Sequence, residues 1–261
     1  MMTGAVAAAL CARVTAAATY AAPRLRRRNF SGREVSLNEG VAITTGLTAG
    51  ALPARDVGTA LAVATAGGAG FLDDIDRGRH DGDVTAKGLH GHLGALAHGH
   101  VTTGVIKIVG VGAAALGYAV LTASRERRHG VDIVIDTVGI AATTNLINLF
   151  DLRPGRAVKV AGALSALGMA SRSTRAHASR ALATLAVIVV DDLNGRTMMG
   201  DTGANALGMQ VGTMIAKIPS RGMRLGCAAT SVALTIASEF VSFSHVIDST
   251  PALRAIDRWG R

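Results

Sequence analysis

The sequence predicts an all-α protein, a polytopic membrane helical bundle of about nine transmembrane helices. Three observations carry this. Apolar residues make up 49% of the 261-residue chain and charged residues only 17%, where a soluble domain carries roughly 25% charged. Aromatics are only 3%, so Ala and Gly supply much of the apolarity, as they do where helices pack closely inside a bilayer. The apolar residues are also gathered into runs separated by short polar loops.

Nine such runs can be marked, at roughly 2–22, 38–53, 57–72, 101–121, 131–150, 157–171, 179–191, 203–217 and 222–240. Several are shorter than the ~20 residues of a comfortable span. The first is Ala-rich before Pro23, like a signal peptide, but it lacks a basic start and Arg13 interrupts it. With eight more runs following, a first membrane helix is the better reading. Gly46 with Gly50, and Gly208 with Gly212, make GxxxG spacings where backbones can approach. In a chain with 32 glycines, chance accounts for either pair equally well. No internal repeat or linker divides the chain, so residues 1–261 form one domain. Its tail, 241–261, is amphipathic, with Val246, Ile247, Leu253, Ile256 and Trp259 set among charges. Such a tail lies on a membrane surface or packs on cytoplasmic loops.

The net charge of +9 does not point to nucleic acid. The basic residues are scattered over short loops and form no stripe with interleaved aromatics. Membrane topology and phosphate-bearing substrates explain them better. Cys11 and Cys227 both lie in apolar runs, so no disulfide framework is implied. With the N-terminus outside, the loops 23–37, 73–100, 151–156 and 192–202 share one face with the tail. Fourteen of the 27 Lys and Arg residues fall there, a bias that favours that face being cytoplasmic. Arg125, Arg127 and Arg128, in an outer loop, weigh against it.

The chemistry-bearing residues fall on that face. Asp73 and Asp74 end the third run, and adjacent carboxylates suit a hard, oxygen-seeking ion or a division of labour between metal and proton. A solvated helix end is the plain alternative, less comfortable because the C-terminal dipole opposes an Asp. The next loop holds Arg77, Arg79, Lys87, His90, His92, His98 and His100. No Cys or well-spaced carboxylate completes a zinc site there, and a cationic loop for phosphates or headgroups is more economical. Lys107 lies a turn or two into the fourth run, where a basic residue is either functional or snorkelling. Asn145, Asn148 and Asp151, spaced by three, form a polar stripe that runs into Arg153 and Arg156. Interhelical glue is the alternative for the two amides. Asp132 and Asp136 fall at the outer end and stay outside the site. Gly200-Asp201-Thr202-Gly203 opens the eighth run, where Asp201 or Thr202 would cap the helix. The same place suits phosphate and a metal-holding carboxylate, with Asp191 and Asp192 close by in sequence.

Taken together, Asp73-Asp74, the Asn145-Asn148-Asp151 run and Gly200-Asp201-Thr202-Gly203 resemble the polyprenyl-phosphate sugar-1-phosphate transferases, the glycosyltransferase family 4 type that includes MraY and WecA. The resemblance spans roughly residues 25–215. It implies Mg²⁺-dependent transfer of a sugar-1-phosphate from a UDP-sugar, of the UDP-N-acetylhexosamine type, to polyprenyl phosphate, releasing UMP in cell-envelope glycan synthesis. Carried over, Asp201 looks like the metal ligand, with Asp73 beside it, and Mn²⁺ is an alternative ion. Asp73 and Asp74 look like the acceptor-activating or nucleophilic pair. Asn145, Asn148 and Asp151 would line the donor pocket, with Lys107, Lys87, His90, Arg153 and Arg156 as further substrate contacts. The implied setting is the plasma membrane, multi-pass, in contact with membrane lipid, with a cytoplasmic-face site and room for a homodimer. Two features depart from the family. Pro154 stands where the second acid of its NxxNxxDGxDG motif falls, and of its C-terminal His motif only His245 lies in the corresponding region. These argue most against a MurNAc-pentapeptide donor. Two other classes stay open: an ion or solute transporter, and a non-catalytic relative that binds lipid-linked substrate or partners.

Overall fold

The computed structural model describes residues 2–29, 32–76, 91, 94, 95, 97–100 and 102–260. Each of the nine apolar runs is a helix: α1 (Met2–Thr19), α2 (Asn38–Ala51), α3 (Val57–Asp76), α4 (Thr103–Glu126), α5 (Gly130–Phe150), α6 (Arg156–Gly168), α7 (Arg172–Leu193), α8 (Gly200–Ala216) and α9 (Arg221–Phe240). Two short helices, α10 (Phe243–Ser249) and α11 (Pro251–Arg258), make up the tail. A two-stranded antiparallel hairpin, β1 (Arg26–Arg28) with β2 (Glu34–Ser36), joins α1 to α2.

Local sequence explains several of the boundaries. Thr102, Ser220 and Ser242 cap α4, α9 and α10 by accepting from backbone N–H groups that a first turn leaves unpaired. At the start of α5, the Asp132 carboxylate accepts from the His129 N–H. The axis between α9 and α10 turns by 88°, with the extended Val241 and Ser242 at the break.

The bundle is organised around α8. Fourteen of its 17 residues are buried, and it packs against α2, α3, α5 and α7. Small residues permit this on several sides. A Cβ at Gly208 would lie 2.6 Å from Thr144 Cα, and one at Gly212 would lie 2.9 Å from Ile140 Cα. The GxxxG pair on α8 is therefore the seam with α5, and Gly46 and Gly50 make the matching seam with Ala8 and Ala12 of α1.

The core is apolar, built on Ile43, Leu47, Val63, Ile140, Ile147 and Leu207, but apolar side chains also cover much of the outside, and some polar ones are buried. Val6, Leu10 and Val14 of α1, Val109 and Leu116 of α4, and Val131, Val134 and Val138 of α5 face outward, whereas Thr59, Thr144, Arg180, Gln210 and Thr213 are buried. Faces of this kind suit a hydrocarbon surround. Among the described residues, α1, α4 and α5 are each long and apolar enough to cross a membrane, and the bent pair α9–α10 makes a fourth if counted as one span. The structure thus shows the helical bundle and three such helices, and leaves the number nine to the functional reading below.

Gly208→Val would push two methyl groups into the α5 backbone, and overpacking of this kind typically costs about 1–3 kcal/mol. The thermal midpoint of the purified protein in detergent should fall by several degrees. An unchanged midpoint would contradict the α5–α8 seam.

Candidate functional site

The site is built where the C-terminal end of α3 meets the N-terminal end of α8. Gly70 has no side chain because the Asp201 carbonyl fills the place a Cβ would take. This close approach brings Asp74 under the open end of α8. Its carboxylate accepts from Asp201 N (3.2 Å), Thr202 N (2.9 Å) and Thr202 Oγ1 (2.6 Å). The expectation that Asp201 or Thr202 caps α8 is corrected here. The cap comes from another helix, and Met199, at the capping position, is helical and makes no side-chain cap bond. An anion at a helix N-terminus is favoured both by the unpaired N–H groups and by the dipole. Gly200, with φ +58°, makes the turn that brings those N–H groups to Asp74.

With Asp74 committed to the cap, Asp73 and Asp201 remain facing each other. Lys107 of α4 sits between them, its Nζ 2.8 Å from Asp201 Oδ2 and 3.3 Å from Asp73 Oδ2. Three sequence-distant groups therefore converge from three helices, all partly buried. Thr103, one turn before Lys107, hydrogen-bonds Asp73. Asp201 opens α8 ahead of its apolar stretch 203–217. One ammonium does not fully balance the carboxylates at this point, and surplus negative charge held in place is what a cation stabilises.

The polar stripe continues the site. Asn145, Asn148 and Lys107 line one cavity of about 420 Å³ between α4, α5, α8 and α9, with Asn205 of α8 joining them. The Asn205 side chain is 1% exposed and its Nδ2 has no partner among the described residues. Farther from this polar end the walls are apolar, from Val138, Ala141, Val232 and Ile236. Asp151 follows in the turn after α5. Burial, and then the charges of Asp192, Asp201 and Asp74, push its carboxyl well above the ordinary carboxylate range. Asp192 holds that turn from α7, accepting from Gly155 N at 2.8 Å.

The loop before α8 is fixed by the first hairpin. Met198 N donates to Ser36 O (3.0 Å), and the Thr197 hydroxyl donates to Glu39 Oε2 (2.5 Å). The hairpin, α2 and the loop that leads into α8 thus form one unit.

Two expected substrate contacts are placed differently. Arg156 is 3% exposed and gives its guanidinium to Asp257 (2.9 and 3.2 Å) and Ser244 (2.9 Å) of the tail. Arg153 pairs with Asp248 at 3.0 Å. The tail's carboxylates hold these arginines where substrate phosphate was expected. Lys87 and His90, with Arg77 and Arg79, lie outside the described residues. Asp132 and Asp136 belong to a separate network with Arg128, Arg221 and Arg224.

The site fits Mg²⁺ in its donor chemistry. Asp73 and Asp201 are hard oxygen donors already arranged around a cation, the Lys107 ammonium. Among the described residues, no three of His, Cys, Asp and Glu come together closely enough to hold a metal by themselves. Mg²⁺ commonly takes one or two protein carboxylates and completes its shell with water and substrate phosphate, so this pair suffices.

Compared with models of known protein families, the chain matches none, and it matches no curated protein.

Proposed function

We propose that this protein is a multi-pass enzyme of the plasma membrane. It transfers a sugar-1-phosphate from a UDP-sugar, of the UDP-N-acetylhexosamine type, to polyprenyl phosphate, and releases UMP on the cytoplasmic face. The nine long helices are its spans. The observation that carries this reading is the meeting of Asp73, Lys107 and Asp201 beside a cavity with an amide-rich polar end and apolar walls. A diphosphate donor and an anionic lipid acceptor need such a combination: cationic balance for phosphates, amides for a sugar or base, and an apolar wall for a prenyl chain.

An oxygen of the acceptor phosphate forms a bond to the β-phosphorus of the UDP-sugar. The bond from that phosphorus to the bridging oxygen breaks, and the electron pair leaves with UMP. The acceptor phosphate reacts as its anion, so the step needs no protein base. Lys107 moves from the two carboxylates toward the phosphates as they arrive. Asp74 keeps the α8 N-terminus in register, and Asn145, Asn148 and Asn205 orient the donor. Asp201 with Asp73 would hold Mg²⁺, which would supply neutralisation of the charge that develops on the diphosphate. This role assignment divides the Asp73-Asp74 pair, giving metal binding to one and anchoring to the other.

A second reading is favoured by a specific observation. Arg153 and Arg156 are tied to the tail, and Pro154 replaces an acid of the family motif, so a relative that binds lipid-linked substrate without turnover also fits.

UMP release separates the two. Purified protein supplied with Mg²⁺, undecaprenyl phosphate and a panel of UDP-sugars should turn over one donor. Asp201→Asn should lower that rate by about 10²-fold or more, as loss of a charge-stabilising group at a reacting centre typically does. No turnover on any donor, from folded protein that still binds lipid phosphate, would favour the non-catalytic reading.

A further inference from the structure

We infer that the C-terminal helical pair, α10 and α11, is a positioning element for the donor pocket, with Asp257 as the positioning residue acting through Arg156. The inference rests on the reading of Asp151 and its neighbours as part of a nucleotide-sugar pocket.

The turn that carries Asp151 is short. It runs from the end of α5 at Phe150 to the start of α6 at Arg156 and includes Gly155 at φ +75°. Its local restraints are Gly155, Pro154 and two short backbone bonds, Asp151 N to Asn148 O (3.1 Å) and Arg156 N to Arg153 O (3.3 Å). The tail grips it at every third position. The Phe243 ring stacks on Phe150 with centroids 5.5 Å apart. Asp248 pairs with Arg153, and Asp257 takes Arg156 side-on by Nε and Nη2 while Nη1 donates to Ser244. Lys159 Nζ then donates to the carbonyls of Asp257 (2.7 Å) and Ile256 (3.2 Å), where the last turn of a helix leaves acceptors open. On the opposite side, Asp192 holds Gly155 N. The turn is thus clamped between the tail and α7.

The tail's ion pairs with the bundle fall on this turn and the first turn of α6, whereas the Asp73–Lys107–Asp201 group is built by α3, α4 and α8. Loosening the tail should therefore change the presentation of Asp151 and leave the reacting centre in place. A fixed bidentate guanidinium–carboxylate pair is suited to this because it sets direction as well as distance. Both partners are nearly sealed from solvent, Arg156 at 3% and Asp257 at 6% exposure, so screening by salt does not loosen the clamp.

Asp257→Asn tests this in the full chain. Amide hydrogen exchange across residues 150–157 should rise about tenfold or more while α8 stays protected, a local opening rather than a global one. KM for the UDP-sugar should rise by about tenfold, with kcat within about twofold, the signature of lost ground-state binding. Asp257→Glu, which keeps the charge, should recover part of both. If Asp257→Asn does not fold, Asp248→Asn at the half-exposed pair should give the same pattern with a smaller change. Unchanged exchange in a folded variant would overturn the inference, as would a kcat loss at unchanged KM. If wild-type protein turns over no donor, the proposed reaction fails. The exchange measurement, together with UMP affinity, still decides the clamp.

Discussion

The contact between the end of α3 and the start of α8 is the constraint on which the rest depends. A helix N-terminus packed inside a helical bundle leaves N–H groups that must find partners within the protein. Here they are satisfied by the Asp74 carboxylate, reaching across 127 and 128 residues of sequence. Gly70 and Gly200 are the backbone conditions for that reach, one by giving up its side chain and the other by adopting positive φ. Once α8 is anchored there, Asp201 faces Asp73 across a few ångströms, and the site follows from the packing.

That arrangement is costly, which is informative. Two carboxylates facing each other gain nothing structurally from being side by side, and burial penalises each charge. Lys107 offsets part of this. At the opposite end of α5 the same chain surrounds its acids differently: Asp132 and Asp136 are met by Arg128, Arg221 and Arg224. With Glu126 and Lys217 included, four cations meet three acids there, whereas Asp73 and Asp201 share one lysine. This asymmetry distinguishes the two clusters.

Much of this was legible in the sequence because it is local. Hydrophobic runs announce helices whatever surrounds them, and each of the nine runs is one. The Asp73-Asp74, Asn145-Asn148-Asp151 and Gly200–Gly203 stretches announced themselves as polar groups at the ends of apolar runs. Pairings over long separations were not legible. Periodicity says nothing of Asp74 capping α8, of Asp257 sealing Arg156 at a separation of 101 residues, or of Asp192 holding Gly155. Arg156 was read as a phosphate contact because its charge was visible and its partner was not. Asn205 and Thr103 had a weak signal: each stands four residues from a recognised group, Asp201 and Lys107, and so shares its helix face.

The most direct test of the cation-centred site is electron paramagnetic resonance of Mn²⁺, used as the reporter ion, titrated into purified protein with and without a UDP-sugar. One bound Mn²⁺ per chain is expected, tightened by the nucleotide sugar and lost in Asp201→Asn with the fold retained. Bound Mn²⁺ that is indifferent to Asp201, or no binding in either condition, would contradict the account.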